Sequence, residues 1–505
     1  MRADIVAEIA SAMESFSPQF FVLTLALVGV VIIIAALLSG LIDRSDVPQV
    51  GVFLALGAML GPAGLQLLDV SLNSPILRVV ATLSLVLVLF TDAVSLSIAE
   101  IRRHRLLAFL VLGPGTLLSA ALIALAAWML LDFSPALALM IGAALASTDP
   151  VMLRGLLRRP GLPETVRLAL RLESGLNDIV LLPIILIAMA VLSHSKLFGV
   201  ESARLALELF LLGPGAGVTV GLLAIGALEL VRRKAGVRRD YESLYSLGVA
   251  FAAYAAAEAV HGSGFLAAFC AGLTIAALDV ELCDCFLEYG QTTAEMTLLF
   301  TFILFGSSLI WQGLLVLNVM TVLFAVAVVL IRPIVFLLSL SRTKLERRSC
   351  FLIAWFGPRG LSSLLLILVP VFARVPGSEQ LFVVCCLVVL LSVALHGGSL
   401  MLLGRTQRPA SLSTDSIGTA MPKADDGAAR PIAVENDSDA ISIEELRARQ
   451  SSGAPLLIID VRAEASFNSS AFQAQGVLRI PADQIVRRTA ELNVPRQTWI
   501  ISFCA

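Results

Sequence analysis

Apolar residues come in long blocks from Phe20 to Leu403, broken only by short polar interruptions. Blocks of helical length fall at 18–41, 47–69, 75–99, 106–131, 134–157, 163–193, 203–231, 242–261, 264–280, 293–311, 313–341, 348–372 and 378–403. Each reaches or nears the ~20 residues that a helix needs to cross a hydrocarbon core. The pattern predicts an α-helical polytopic membrane protein with about thirteen transmembrane helices. Turn residues sit at Pro160-Gly-Leu-Pro163, His261-Gly-Ser-Gly264 and Val375-Pro-Gly377. Leu-Gly-Pro-Gly occurs at both 112–115 and 212–215, a short match that suggests internal repetition.

Basic residues then set the orientation. Connections after odd-numbered spans hold Arg44, Arg102, Arg103, Arg105, Arg154, Arg158, Arg159, Arg232, Arg233, Lys234, Arg238, Arg239, Arg342, Lys344, Arg347 and Arg348. Connections after even-numbered spans hold only Lys196, Arg204 and Arg374. Positive loops stay in the cytoplasm. The expectation is therefore a multi-pass protein of the plasma (inner) membrane, N-terminus outside and C-terminus inside. The first apolar run is too long for the core of a signal peptide and lacks a basic front, so it reads as a retained span.

Composition agrees. The 505 residues are 58% hydrophobic and 15% charged, where a soluble domain carries roughly 25% charged residues. The net charge of −2 says nothing about partners, because it averages basic loops with a more acidic tail; no nucleic-acid partner is expected. Of the seven cysteines, Cys270, Cys350, Cys385 and Cys386 lie in apolar segments as small packing residues. Cys283 and Cys285 form an isolated pair without the further ligands that a metal would need.

Against this background, charges inside the spans stand out. An ionised Asp at a bilayer centre costs about 2.5–3.5 kcal/mol on insertion scales. Asp149 sits mid-span in Ser147-Thr148-Asp149-Pro150. Pro150 disfavours helix at the preceding residue, so a break there would free carbonyls beside Asp149. A plain proline kink is the simpler alternative. In the next span Glu173 and Asn177 share one helical strip, and Ser174 and Asp178 the adjoining one. At helical rise Asp178 lies about 21 Å from the span start, a depth close to that of Asp149. Two carboxylates, a hydroxyl, an amide and free carbonyls are hard oxygen ligands suited to an alkali cation. Desolvation disfavours a carboxylate's charged form, so near neutral pH a proton and a cation would compete for such a group.

Two arginines are equally buried in pattern: Arg332, before Pro333, and Arg359, in Gly357-Pro358-Arg359-Gly360. Glu173 needs a cation, and an arginine fork is the best match; snorkelling to the lipid interface is the alternative. The Gly-Pro-x-Gly sequence breaks the twelfth span as Asp149-Pro150 breaks the fifth. Two interrupted helices in corresponding halves point to a site between inverted repeats. Asp92, in the third span, lines a cytoplasmic funnel or serves as a local cap or pair. Glu258 and Glu295 carry no assigned role. His104, His194, His261 and His396 are read as lying at loops or helix ends.

Taken together, Thr148-Asp149-Pro150, Glu173-x-x-x-Asn177-Asp178, Arg332-Pro333 and Gly357-x-Arg359-Gly360 resemble the monovalent cation/proton antiporters, in particular the sodium/proton exchanger branch. The resemblance spans about residues 18–405. It implies a core domain moving against a dimerisation domain in a homodimer, with two discontinuous helices crossing at mid-membrane. It implies that Asp178 is the main carrier of H⁺ and cation, aided by Asp149, Thr148, Ser174 and Asn177. Glu173 with Arg332 would be a structural ion pair, and Arg359 would balance charge at the crossing. The Asn-Asp pair goes with electroneutral exchange in this branch, because Asn177 cannot titrate. Asp92 departs from the glutamate frequent in that region.

Residues 406–440 form a linker rich in Ser, Asp, Ala, Pro and Gly. The segment 441–505 reads as soluble α/β, with a strand at Leu456 to Asp460 and another ending at Cys504. It resembles the first half of a rhodanese domain. That likeness implies matches at Asp460, Arg462 and Phe467, and a persulfide-type thiol at Cys504. The loop that would cradle the sulfur does not follow in this sequence, which leaves a regulatory or redox-sensing tail, a vestige, or part of a longer protein.

The leading expectation is thus a secondary antiporter, not an enzyme, that exchanges Na⁺ (with Li⁺ or K⁺ as alternatives) for H⁺ across the lipid bilayer without a cofactor. A K⁺/H⁺ antiporter, a cation channel and a membrane-anchored sulfurtransferase are the competing readings.

Overall fold

The computed structural model describes residues 49–407, except 97, 158, 160–161, 194–206, 208–210, 235–238, 279–283, 342 and 344. It also describes positions 29, 33, 37, 446 and 449, and residues 456–461, 477–480 and 498–503. The predicted first span therefore falls outside the described residues, apart from helical positions at Gly29, Ile33 and Leu37. The chain divides into two compact units after Leu412.

In the first unit the helices are α1 (Gln49–Leu60), α2 (Pro75–Val94), α3 (Ile98–Arg103), α4 (Arg105–Leu110), α5 (Leu118–Leu131), α6 (Pro135–Ala146), α7 (Pro150–Leu157) and α8 (Glu164–Ser193). They continue as α9 (Gly213–Lys234), α10 (Arg239–Ala259), α11 (Gly264–Ala277), α12 (Asp284–Leu304), α13 (Val319–Leu340), α14 (Arg347–Trp355), α15 (Leu361–Phe372) and α16 (Ser378–Gln407). Among the described residues, eight helical segments are long and apolar enough to cross a membrane, and four shorter apolar helices accompany them. Each predicted block after the first corresponds to one of these helices or to a pair separated by a break.

Local chemistry explains the boundaries. Asp132, in the left-handed region at φ 55°, closes α5, and Ser134 opens α6 by accepting from Leu137 N at 3.4 Å. The predicted start of the eleventh block at 313 moves to 319 because Asn318 and Thr321 form a reciprocal capping box, at 2.9 and 3.0 Å. The second block ends at Leu60, earlier than its apolar pattern suggests, because the chain then turns and Leu68 N returns to Leu60 O at 2.9 Å. Leu-Gly-Pro-Gly has two outcomes. At 112–115 it lies in a π-type turn, Val111–Leu117, that joins α4 to α5; at 212–215 it opens α9.

Two sets of helices pack closely. In one, α11 lies against α9, α2 and α10, and α12 lies against α2, α10 and α1. In the other, α6 lies against α5 and α8, α13 against α5 and α14, and α15 against α16 and α6. Glycine permits the tightest approaches. A Cβ on Gly306 would come within 2.9 Å of Leu54 Cα, and a Cβ on Gly57 within 2.8 Å of Gly306 Cα, so α1 crosses the turn after α12 backbone to backbone.

The second unit holds β1 (Leu456–Asp460), β2 (Leu478–Arg479) and β3 (Trp499–Phe503), ordered β2-β1-β3 and parallel throughout. Both predicted strands are present. Ile459 and Ile480 are buried, and the Arg449 guanidinium lies 3.9 Å from the centroid of the Trp499 ring. Arg462, Phe467 and Cys504 lie outside the described residues.

Gly306→Val forces a side chain into the α1 backbone. Overpacking costs about 1–3 kcal/mol, so this variant should melt earlier in detergent. Gly248→Ala, where nothing lies within 4 Å of the added methyl, should melt no lower than the parent chain. Equal melting of the two variants would refute the backbone crossing.

Candidate functional site

Two unwound segments meet in the first unit. The fifth predicted span is broken at 147–149, between α6 and α7, and the twelfth at 356–360, between α14 and α15. They touch directly, with Asp149 N donating to Pro358 O at 3.0 Å. A broken helix exposes N–H groups at one new end and carbonyls at the other. Inside a membrane no water satisfies them, so protein must.

Asp149 serves both N-terminal ends. Its Oδ1 accepts from Val151 N of α7 at 2.8 Å, and its Oδ2 accepts from Leu361 N of α15 at 2.7 Å. Gly360 makes room for this: a Cβ there would collide with the Asp149 carboxylate.

The two arginines serve the C-terminal ends. Arg359 Nη1 donates to Ala146 O at 2.7 Å and to Ser147 O at 3.0 Å, at the end of α6. Arg332 donates to Ile353 O at 3.0 Å, to Ala354 O, and to Phe356 O at 3.3 Å, at the end of α14. Its guanidinium also rests 4.3 Å from the centroid of the Phe336 ring. A Cβ on Gly357 would strike this guanidinium, so the glycine is required there.

Glu173 balances Arg332 through a two-point contact, Nε to Oε1 at 3.1 Å and Nη2 to Oε2 at 2.6 Å, with both side chains 2% exposed. Thr148 Oγ1 donates to Glu173 Oε1 at 2.9 Å and accepts from Arg359 Nη1 at 3.3 Å. The Glu173–Arg332 pair that the family resemblance implied is therefore present in fork geometry, and a hydroxyl links it to the first break.

Asp178 is held differently. Its Oδ1 accepts from Ser147 Oγ at 2.6 Å. No hydrogen bond reaches its Oδ2 from the described residues, and the residue keeps 5% exposure. Beside it, Asn177 Nδ2 donates to Thr148 O at 3.5 Å, while Asn177 Oδ1 and Arg359 Nη2 are buried without a hydrogen-bond partner among the described residues. Ser174 is buried but turns back on its own helix, donating to Arg171 O at 3.4 Å. Asp92 is half-buried on α2, in electrostatic range of Asp178, Arg154 and Asp149.

The match to known families follows this geometry. The family model described as "Sodium/hydrogen exchanger, transmembrane" covers residues 29–405. The chain belongs to the sodium/hydrogen exchanger family. It is 26% identical over 389 residues to the K(+)/H(+) antiporter NhaP of Alkalimonas amylolytica, covering 75% of this chain and 66% of that protein. It is 29% identical over 383 residues to the K(+)/H(+) antiporter NhaP2 of Shewanella sp. strain MR-4, covering 73% and 64%. The match thus spans just under two thirds of the length of these relatives. The fold is similar to that of the sodium proton antiporter MjNhaP1 from Methanocaldococcus jannaschii, with a TM-score of 0.62 and 18% identity, over 75% of this chain and 99% of that one.

Several residues of this polar cluster escape the motif reading. Ser147 supplies the Asp178 hydrogen bond. Ser392 Oγ accepts from Arg359 N at 2.7 Å. His396 is 4% exposed inside α16 rather than at a helix end. Arg154 lies within α7 and pairs with Glu295 of α12, not in a loop. The available signal for Ser392 and His396 was their spacing of four in an otherwise apolar block.

Removing one partner from a buried ion pair costs about 3–5 kcal/mol, because the other charge is left behind. Glu173→Ala should therefore lower the melting temperature and the yield of folded protein, and Arg332→Lys should do so too, since an ammonium cannot replace the fork. Unchanged melting of Glu173→Ala would refute the pair as a structural element.

Proposed function

We propose that the chain is a secondary antiporter that exchanges a monovalent alkali cation for H⁺ by alternating access, with Asp178 as the carrier. The observation that carries this reading is a charge imbalance. With histidine counted as neutral, the described residues of the first unit bury three carboxylates (Asp149, Glu173 and Asp178) and two guanidinium groups (Arg332 and Arg359). The four groups other than Asp178 are engaged by one another or by helix ends. Asp178 alone among the three acids keeps a carboxylate oxygen without a hydrogen bond. A buried charge without a partner is costly, so Asp178 must hold either a proton or a cation.

Asp178 Oδ2, Asn177 Oδ1 and the Thr148 carbonyl are the oxygens best disposed to receive the cation. Asp149 contributes chiefly as fixed charge, because both of its oxygens already cap half-helices. Ser174 joins only after a change of rotamer. Asp92, half-buried and electrostatically coupled to Asp178, attracts cations from the cytoplasmic side. One carrier carboxylate beside an asparagine that cannot titrate supports one-for-one, electroneutral exchange.

Hard oxygen ligands support Na⁺ as substrate. A second reading, K⁺, is favoured by the names of the curated relatives at 26–29% identity. We further read the chain as thirteen spans with inverted repeats, a homodimer of the inner membrane with its N-terminus outside and its C-terminus inside. The tail is read as a linker at 406–440 and a rhodanese-like segment at 441–505, supported by the parallel order of β2, β1 and β3.

In everted vesicles, Na⁺, K⁺ or Li⁺ should each be tested for cation-induced proton movement. Asp178→Asn should abolish the response to every cation that the parent chain transports; retained exchange would overturn the carrier assignment. An imposed membrane potential should leave the rate unchanged, and strong dependence on potential would overturn one-for-one stoichiometry.

A further inference from the structure

We propose that Ser392 and His396, on α16, are positioning residues that hold the second break, and through it the carboxylate of Asp178. This inference rests on the antiport reading for its functional consequence but on geometry for its structure.

The residue spacing comes first. Ser392, His396 and Ser399 are four and three apart, so they share one face of α16. That face grips the 356–360 segment from both sides. On one side, Ser392 Oγ accepts the main-chain N–H of Arg359 at 2.7 Å. On the other, Ser399 Oγ accepts from Trp355 Nε1 at 3.2 Å and donates to His396 O at 2.8 Å. His396 stands between them. Its Nδ1 lies 3.1 Å from Ser392 Oγ and 3.0 Å from Ser392 O, and its ring centroid is 5.6 Å from that of Trp355. The imidazole thereby fixes the hydroxyl that receives the Arg359 N–H.

The first break has a corresponding support. There the polar strip of α8 makes the contacts: Asp178 to Ser147, Glu173 to Thr148, and Asn177 to Thr148 O. Each broken helix thus has one unbroken helix that holds its open segment. On α8 the holding groups include charges, and on α16 they are hydroxyls and an imidazole.

Coupling to the carrier runs through two further bonds. Arg359 Nη1 donates to Ser147 O at 3.0 Å, and Ser147 Oγ donates to Asp178 Oδ1 at 2.6 Å. If the Arg359 backbone is released, its guanidinium is no longer aimed at the end of α6. Ser147 shifts with that end, and Asp178 loses its one hydrogen bond. The expected result is weaker cation capture, not simply a smaller amount of protein.

Four variants test this: Ser392→Ala, Ser392→Thr, His396→Leu and His396→Asn. Threonine restores the hydroxyl, and the asparagine amide puts a hydrogen-bonding atom near the place of Nδ1. Ser392→Ala and His396→Leu should raise the half-saturating cation concentration roughly five- to tenfold, the size of one buried hydrogen bond. Ser392→Thr and His396→Asn should return it most of the way. Lower yield with an unchanged half-saturating concentration would overturn the positioning role, as would no change at all. Amide hydrogen exchange over 355–361 gives a readout independent of transport: it should rise in the alanine and leucine variants and fall back in the two conservative ones, and unchanged exchange would overturn the proposal. A parent chain that moves no protons with any of the three cations would instead sink the antiport reading, leaving the exchange measurement to judge Ser392 and His396.

Discussion

Four helix ends that lie where water cannot reach them set the terms for this fold. Each end carries roughly half an elementary charge, and its open N–H or carbonyl groups must find partners in protein. The solution uses three side chains. Asp149 takes both positive ends, Arg359 takes the negative end of α6, and Arg332 takes that of α14. Arg332 then needs its own counter-charge, which is why Glu173 is locked to it through two oxygens. Thr148 ties this pair to Arg359. The two breaks and four charged groups form one mutually neutral assembly, in which no member is removable without orphaning another. Asp178 stands outside it, joined by a single hydroxyl, and this isolation suits it to exchange partners.

Much of this was legible in the sequence because it is punctuated by proline and glycine. Pro150 and the Gly-Pro-x-Gly run mark both breaks, and the strip from Glu173 to Asp178 follows from helical spacing. That Glu173 needs an arginine followed from the few cations within the apolar blocks; that the arginine is Arg332 and not Arg359 came only from the family resemblance. The double capping by Asp149 could not. Leu361 is 212 positions away, and nothing local indicates that a second helix starts beside the same carboxylate. Hydroxyls were harder still. In apolar helices Ser and Thr usually bond back to their own carbonyls, as Thr91, Ser119 and Thr274 do here. Ser147 and Ser392 look no different in sequence, yet each bridges two elements. Ser174 is the converse: its spacing suggested the site, and its hydroxyl turns back to Arg171.

The same polar assembly has a mechanical consequence. Its hydrogen bonds join α6, α7, α8, α13, α14, α15 and α16, so these helices resist relative displacement. Toward the other set, close contacts include one made by glycine, where Gly313, in the turn that follows α12, meets the backbone of Cys386 and Leu387 on α16. Apolar contacts are non-directional, so one such arrangement can be exchanged for another with little loss. Polar contacts between the sets include Arg78 Nη2 to Phe372 O at 2.6 Å, and the Arg154–Glu295 pair. The first lies at the C-terminal end of α15 and the second at α7, beyond the first break. Both are accessible to solvent, where ion pairs and hydrogen bonds form and break at small net cost. A rigid polar body with weak polar contacts beyond the site is what the proposed alternating exposure of Asp178 would require. In the proposed exchange, the directional bonds that neutralise the broken helices would therefore also decide which helices move together.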